Sequence, residues 1–205
     1  VAVECGADFL GFVFVTGARR CLEINHAKRM IEDLKTKHGA KLPYIVGLFA
    51  NQKIDRVNKI AHGLNLDLVQ LCGNESHEYV NAIDVPTIKQ VKVVEDEDFI
   101  SNVKRVREQI ELALSYGSMV VLDKYEPNSY GGTGNKFNWD IAVSLAGTYD
   151  LILSGGLDCD DITDAISHVS PWGVDVSSGV ETAGVKDKDK IRKFSSIVLQ
   201  YDPSS

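Results

Sequence analysis

The 205-residue sequence predicts an α/β fold built on parallel strands, and three observations lead there. Short apolar runs recur with amphipathic helical segments between them. The runs are continuous rather than alternating, as expected of strands covered on both faces. The glycines and acidic residues capable of chemistry gather just past the ends of those runs. Two architectures satisfy this pattern: an open doubly wound sheet of seven strands, or a (β/α)8 TIM barrel lacking its first β-strand.

The elements follow in order. VAVECGAD, at the start, reads as the end of a helix turning into a strand. Strand-like runs span 9–15, 44–49, 66–71, 87–91, 119–122, 151–153 and 173–176. Between them, Ile24, Ala27, Ile31 and Leu34 share one helical face, as do Ile54, Val57, Ala61 and Leu64. Val103, Val106 and Ile110 form the next such face, then Ile162, Ala165 and Ile166, and finally Ile191, Phe194 and Val198. Short helices are expected near 79–83 and 139–145. Strand–helix alternation without a long linker calls for right-handed crossovers and a single domain over 1–205.

Composition narrows the function. A hydrophobic fraction of 44% supports an ordinary core and rules out wholesale disorder. With 29 acidic against 22 basic residues, the net charge of -7 argues against a general nucleic-acid binder. A local phosphate site on backbone amides stays compatible with that charge. No apolar run approaches the roughly 20 residues needed to cross a bilayer. Cys5, Cys21, Cys72 and Cys159 form no C-x-x-C pair, which argues against a zinc cluster or disulfide framework and fits a reducing, cytoplasmic setting.

The strand ends carry the chemistry. Ser154-Gly155-Gly156-Leu157 follows one run, and Asp175-Val176-Ser177-Ser178-Gly179-Val180-Glu181 follows the next. One Gly-Gly pair usually just turns the chain. Two such loops after consecutive strands favour phosphate, because small residues let backbone amides approach an anion. Asp123 ends the run 119–122, where partial burial raises a carboxyl toward neutrality and suits it to acid–base work. Its bland alternative is a loop cap or a partner of Lys124. The loop from 124 to about 136, with Gly131-Gly132-Thr133-Gly134, is long enough for a lid. Arg19 and Arg20 could clamp a carboxylate or simply face solvent. Cys72 is a nucleophile or an inert buried thiol. His62, His77 and His168 read as structural or surface residues, and the run 186–190 as a solvated helix start.

Taken together, GADFLGFVF (6–14), LDLVQLCGNE (66–75), GGTGNKFNW (131–139), LSGGL (153–157) and GVDVSSGVETAGVKD (173–187) resemble the phosphoribosylanthranilate isomerase family of tryptophan biosynthesis. The resemblance spans essentially the whole chain and implies the barrel. It also implies an Amadori rearrangement of N-(5'-phosphoribosyl)anthranilate to 1-(2-carboxyphenylamino)-1-deoxyribulose 5-phosphate, with no metal or organic cofactor. By resemblance Asp123 is the general acid and Arg20 binds the anthranilate carboxylate, although VTGARRC departs from the family's usual loop. Gly155, Gly156, Ser178 and Gly179 would supply phosphate-binding amides, and Asp175 would face the sugar hydroxyls. Cys72 stands near the anthranilate ring, where the family usually has histidine.

The family's general base is a cysteine ending the first strand, and the chain begins past that point. The expectation is therefore a chain short of roughly 20–30 residues and of its base, with turnover reduced roughly 10²–10⁴-fold. Two rivals are a related phosphosugar aldose–ketose isomerase barrel and a non-catalytic phosphate-binding remnant. The expected partner is the phosphosugar–anthranilate substrate, with no nucleic acid and no membrane. Family members also occur fused to neighbouring tryptophan-pathway enzymes, so fusion or association of that kind is a further expectation.

Overall fold

A computed structural model describes residues 1–125 and 136–201. Seven strands form one sheet: β1 (Phe9–Val13), β2 (Tyr44–Phe49), β3 (Leu68–Leu71), β4 (Thr87–Val93), β5 (Met119–Lys124), β6 (Leu151–Leu153) and β7 (Gly173–Val174). Each pairs in parallel with the next in chain order. A doubly wound sheet reverses its strand order at a switch point. An unbroken sequential order instead curls the sheet into a barrel wall. The open-sheet alternative is thereby excluded.

The helices are α1 (Ile24–His38), α2 (Ile54–Leu64), α3 (His77–Asn81), α4 (Phe99–Ser115), α5 (Trp139–Ala146), α6 (Ile162–Val169) and α7 (Lys188–Leu199). Side chains start four of them, with Ser76 Oγ accepting from the Tyr79 amide at α3. Asp98 accepts from the Ile100 and Ser101 amides, Asn138 from that of Asp140, and Asp187 from those of Asp189 and Lys190. None of the helices among the described residues is long and apolar enough to cross a membrane.

The two-residue strand period divides the core. Val69 and Leu71 of β3, Val91 and Val93 of β4, Val120 and Leu122 of β5, and Leu151 and Leu153 of β6 pack outward against the helices. Val46, Leu68, Ile88, Val121 and Ile152 meet on the inner face. Continuing that alternation past each apolar layer puts Cys72, Gln90, Lys92, Asp123, Ser154 and Asp175 on the inner face at the strands' C-terminal ends. Backbone bonds extend the ladder beyond the strands themselves: Ser154 N–H donates to Leu122 O and Asp175 N–H to Leu153 O, both at 2.9 Å.

The structure differs from the sequence reading at several element boundaries, among them β1, which ends at Val13 rather than Val15, and β3, which starts at Leu68 rather than Leu66. The first residues form a 3-10 turn, Val3–Cys5, closed by Gly6 in the left-handed region at φ 80°. β4 and β5 run two residues further than expected, and α3 starts two residues earlier. β7 keeps only two residues, because the chain leaves the sheet soon after Gly173. A small antiparallel hairpin follows, β8 (Glu181–Thr182) and β9 (Val185–Lys186). Its turn residues Ala183 and Gly184 both have positive φ, the geometry that two-residue hairpin turns require. The expected glycine-rich lid, Gly131 to Gly134, lies outside the described residues.

Candidate active site

Asp123 is 6% exposed at the tip of β5. Gln90 Nε2 donates to its Oδ2 at 2.5 Å, and the Lys124 backbone N–H donates to Oδ1 at 2.9 Å. Burial, and then the nearby Asp175 carboxylate, push its pKa up from 3.8 to about 6. Its backbone contact with Lys124 is local; Lys124 sends its own ammonium to Lys136 O. The loop-cap alternative therefore accounts for one oxygen and leaves the burial unexplained.

Asp175 lies beyond β7, where Ser154 Oγ donates to its Oδ2 at 3.1 Å. Burial raises its pKa, against the Ser154 hydrogen bond and the charges of Lys186 and Arg20. Two acidic side chains thus face the inner side from β5 and from the end of β7, with two cations above the second.

Those cations belong to a rim organised by Glu181, whose side chain is 5% exposed. Arg19 Nη2 meets Glu181 Oε2 at 2.6 Å, Arg20 Nη1 meets Oε1 at 3.0 Å, and Lys186 Nζ lies 3.5 Å from the same Oε1. Burial raises the Glu181 pKa, but the Arg19 hydrogen bond and the charges of Arg20 and Lys186 prevail and hold it below its ordinary value. The β8–β9 hairpin creates this arrangement by pairing Glu181 with Lys186. Arg20 Nη1 also donates to Ser177 Oγ. That leaves Nε and Nη2, one two-pronged edge of the guanidinium, without a partner among the described residues. Arg20 is accordingly not the solvated surface residue that sequence alone allowed.

The two small-residue loops meet in the folded chain. Asp158 and Gly179 lie side by side in an isolated parallel bridge. Gly156, Ser178 and Gly179 line a cleft of about 330 Å³ with Asp158, Cys159, Asp160 and Lys190. A Cβ on Gly179 would collide with the Leu157 carbonyl oxygen and approach Asp158 Cα to 2.8 Å, so the close approach demands glycine. Gly155 is outside this cleft. It abuts Asp123, whose Oδ1 would lie 3.0 Å from an added Cβ, and its φ of 89° also favours glycine.

Cys72, at the end of β3, is 1% exposed, and burial followed by the Glu75 charge pushes its thiol up to about 12. It is neutral at physiological pH and no base. His77 stacks on Tyr116 at 4.0 Å, while His62 and His168 pair with Asp84 and Asp140 at the surface. Sequence reasoning missed Gln90, gave Ser154 and Glu181 no role of their own within the small-residue loops, and read Lys186 and Lys190 as part of a solvated helix start. In the structure Asp187 caps α7, Lys186 faces the rim, and Lys190 Nζ crosses to Glu181 O at 2.7 Å. The polar residues Lys89, Gln90 and Lys92 inside an otherwise apolar strand were the one available signal for Gln90.

The profile of the N-(5'phosphoribosyl)anthranilate (PRA) isomerase family matches residues 1–196. The N-(5'-phosphoribosyl)anthranilate isomerase of Geotalea uraniireducens is 42% identical over 195 residues, 95% of this chain and 89% of the relative. That of Dehalococcoides mccartyi is 38% identical over 96% of this chain and 88% of its own. Among solved structures, phosphoribosyl anthranilate isomerase from Thermotoga maritima superposes with a TM-score of 0.80 at 32% identity, covering 97% of this chain and 91% of that one. A phosphoribosyl anthranilate isomerase in complex with reduced 1-(o-carboxyphenylamino)-1-deoxyribulose 5-phosphate superposes with a TM-score of 0.77 at 31% identity and the same coverage.

Proposed function

The chain belongs to the N-(5'-phosphoribosyl)anthranilate isomerase family and is an isomerase with the family's TIM-barrel fold, and from that premise we propose the part each site residue plays. In the Amadori rearrangement, protonation of the furanose oxygen lets the C1′–O bond break while the anilino nitrogen pair forms a C1′=N bond. A base then takes the C2′ proton, the C2′–H pair forms C1′=C2′ as the C=N pair returns to nitrogen, and the resulting enol amine becomes the amino ketose by gaining a proton at C1′ and losing its C2′ hydroxyl proton.

Asp123 is the acid for the first step. The observation that carries this reading is a buried inner-face carboxyl held at about 6 by burial and by Asp175. At pH 7 roughly a tenth of such a group is protonated, against less than about a thousandth at its ordinary value. Asp175, bonded to Ser154, faces the ribose hydroxyls. Arg20 presents its open Nε/Nη2 edge to the anthranilate carboxylate, with Glu181 and Ser177 fixing the other side of the guanidinium. Gly156, Ser178 and Gly179 take the phosphate, and Lys190 offsets the carboxylates of Asp158 and Asp160 in the same cleft, while Gly155, outside it, backs onto Asp123 rather than joining the phosphate site as the sequence led one to expect. Cys72 serves as a neutral wall near the anthranilate ring. The four cysteines are all free thiols, which supports placing the protein in the cytoplasm.

The test is isomerisation of N-(5'-phosphoribosyl)anthranilate, followed by loss of its fluorescence. Asp123→Asn lowers kcat roughly 10²–10⁴-fold relative to the parent chain. Parent-level turnover in that variant would remove Asp123 from the mechanism.

A further inference from the structure

Gln90 is a buried polar side chain on the inner face that the roles above leave unused. It sits on β4, where register pairs it with Val121 and pairs Lys92 with Asp123, so it lies one step below the acid on the neighbouring strand. It is 6% exposed on the inner face, and its Nε2 bonds Asp123 Oδ2. Its Oε1 is buried without a hydrogen-bond partner among the described residues. An apolar side chain here would extend the Ile88 layer and leave no orphaned acceptor, so packing does not account for an amide.

We propose that Gln90 is a positioning residue for Asp123, holding its carboxyl in both protonation states by turning its amide end for end. The proposal rests on the reading of Asp123 as the acid. A general acid spends part of each turnover ionised and part protonated. Ionised, it only accepts hydrogen bonds; protonated, it must also donate one. Lysine or arginine satisfies the first state alone, whereas an amide carries a donor and an acceptor on the same pivot. Nε2 serves the ionised carboxylate as observed, and rotation about the terminal torsion brings Oε1 to the same place to receive the acid's O–H. The charged groups whose fields also reach Asp123 are Asp175 beyond β7 and Lys92 on β4. Both act on it through their charge, Asp175 raising and Lys92 lowering its pKa.

Carboxyl-carbon NMR of aspartate-labelled protein tests this, with Asp123→Asn identifying the resonance, alongside kcat and KM. The parent titrates near 6. Gln90→Met keeps the length and removes both hydrogen-bonding groups. It moves the midpoint to higher pH and lowers kcat about tenfold while KM stays within about twofold. Gln90→Glu places a second carboxyl on the same oxygen, moves the midpoint further the same way, and decides the matter should the methionine variant not fold. A midpoint and kcat unchanged in these variants would overturn the role of Gln90. Parent-level kcat in Asp123→Asn, with the Gln90 variants still moving the midpoint, would instead overturn the acid assignment alone.

Discussion

Replacing Asp123 by asparagine disables the enzyme and stabilises the fold. Raising a buried carboxyl from 3.8 to about 6 costs its ionised form about 3 kcal/mol at neutral pH. The folded chain holds the Asp123 proton more tightly than the unfolded chain does. Between about pH 4 and about pH 6 it therefore binds more protons, and its stability falls as pH rises through that window. Above it the whole penalty is present; below it none is. Asparagine carries no charge and escapes the penalty. Its Oδ1 still accepts from the Lys124 amide, and a turned Gln90 amide accepts from its Nδ2 through the Oε1 that now lacks a partner. Hydrogen bonding is conserved, so about 2–3 kcal/mol of stabilisation survives at pH 7, a rise in Tm of about 4–12 °C for a domain of this size. Thermal unfolding of parent and variant at about pH 7 and about pH 4 reads this directly. An Asp123→Asn protein that is less stable at neutral pH, or whose advantage persists unchanged at pH 4, refutes the reasoning.

Three further outcomes follow. Gly179→Ala forces a methyl group into the Leu157 carbonyl, so it destabilises the fold by about 1–3 kcal/mol in urea unfolding and weakens binding of inorganic phosphate. Arg20→Lys keeps a positive charge beside Glu181 but loses the two-pronged edge, so KM rises about tenfold while kcat changes little. Iodoacetamide at about pH 8 labels the exposed Cys21 in the native protein, while Cys72, buried and with its thiol near 12, reacts only after unfolding. Peptide mass mapping separates the two cysteines.

Buried parallel strands write themselves into a sequence as continuous apolar runs, which is why β2, β3, β5 and β6 were legible along with the helices between them. The same continuity hides which residues face inward, because both faces are apolar. Lys89, Gln90 and Lys92 break that continuity in β4, but only the packed sheet reveals that Gln90 shares a face with Ile88 and reaches Asp123. Asp123, Asp175 and the two glycine loops were readable as strand-end residues. Their meeting was not, because Asp158 and Gly179 become neighbours only when β6 and β7 pair. Glu181 and Lys186 lay beyond reach on different grounds. Two-residue strands carry no periodicity, and the ion pairs of Arg19 and Arg20 with Glu181 join opposite ends of the chain.

The role proposed for Asp123 is to deliver the proton that opens the ribose ring from the fraction that stays protonated because its pKa is pushed up to about 6. The pH dependence of kcat for N-(5'-phosphoribosyl)anthranilate, followed by fluorescence from about pH 5 to about pH 8, tests it most directly. With Asp123 as the acid, kcat declines as pH rises through about 6, and the residual activity of Asp123→Asn shows no such decline. A flat profile in the parent, or the same decline in the variant, would contradict it.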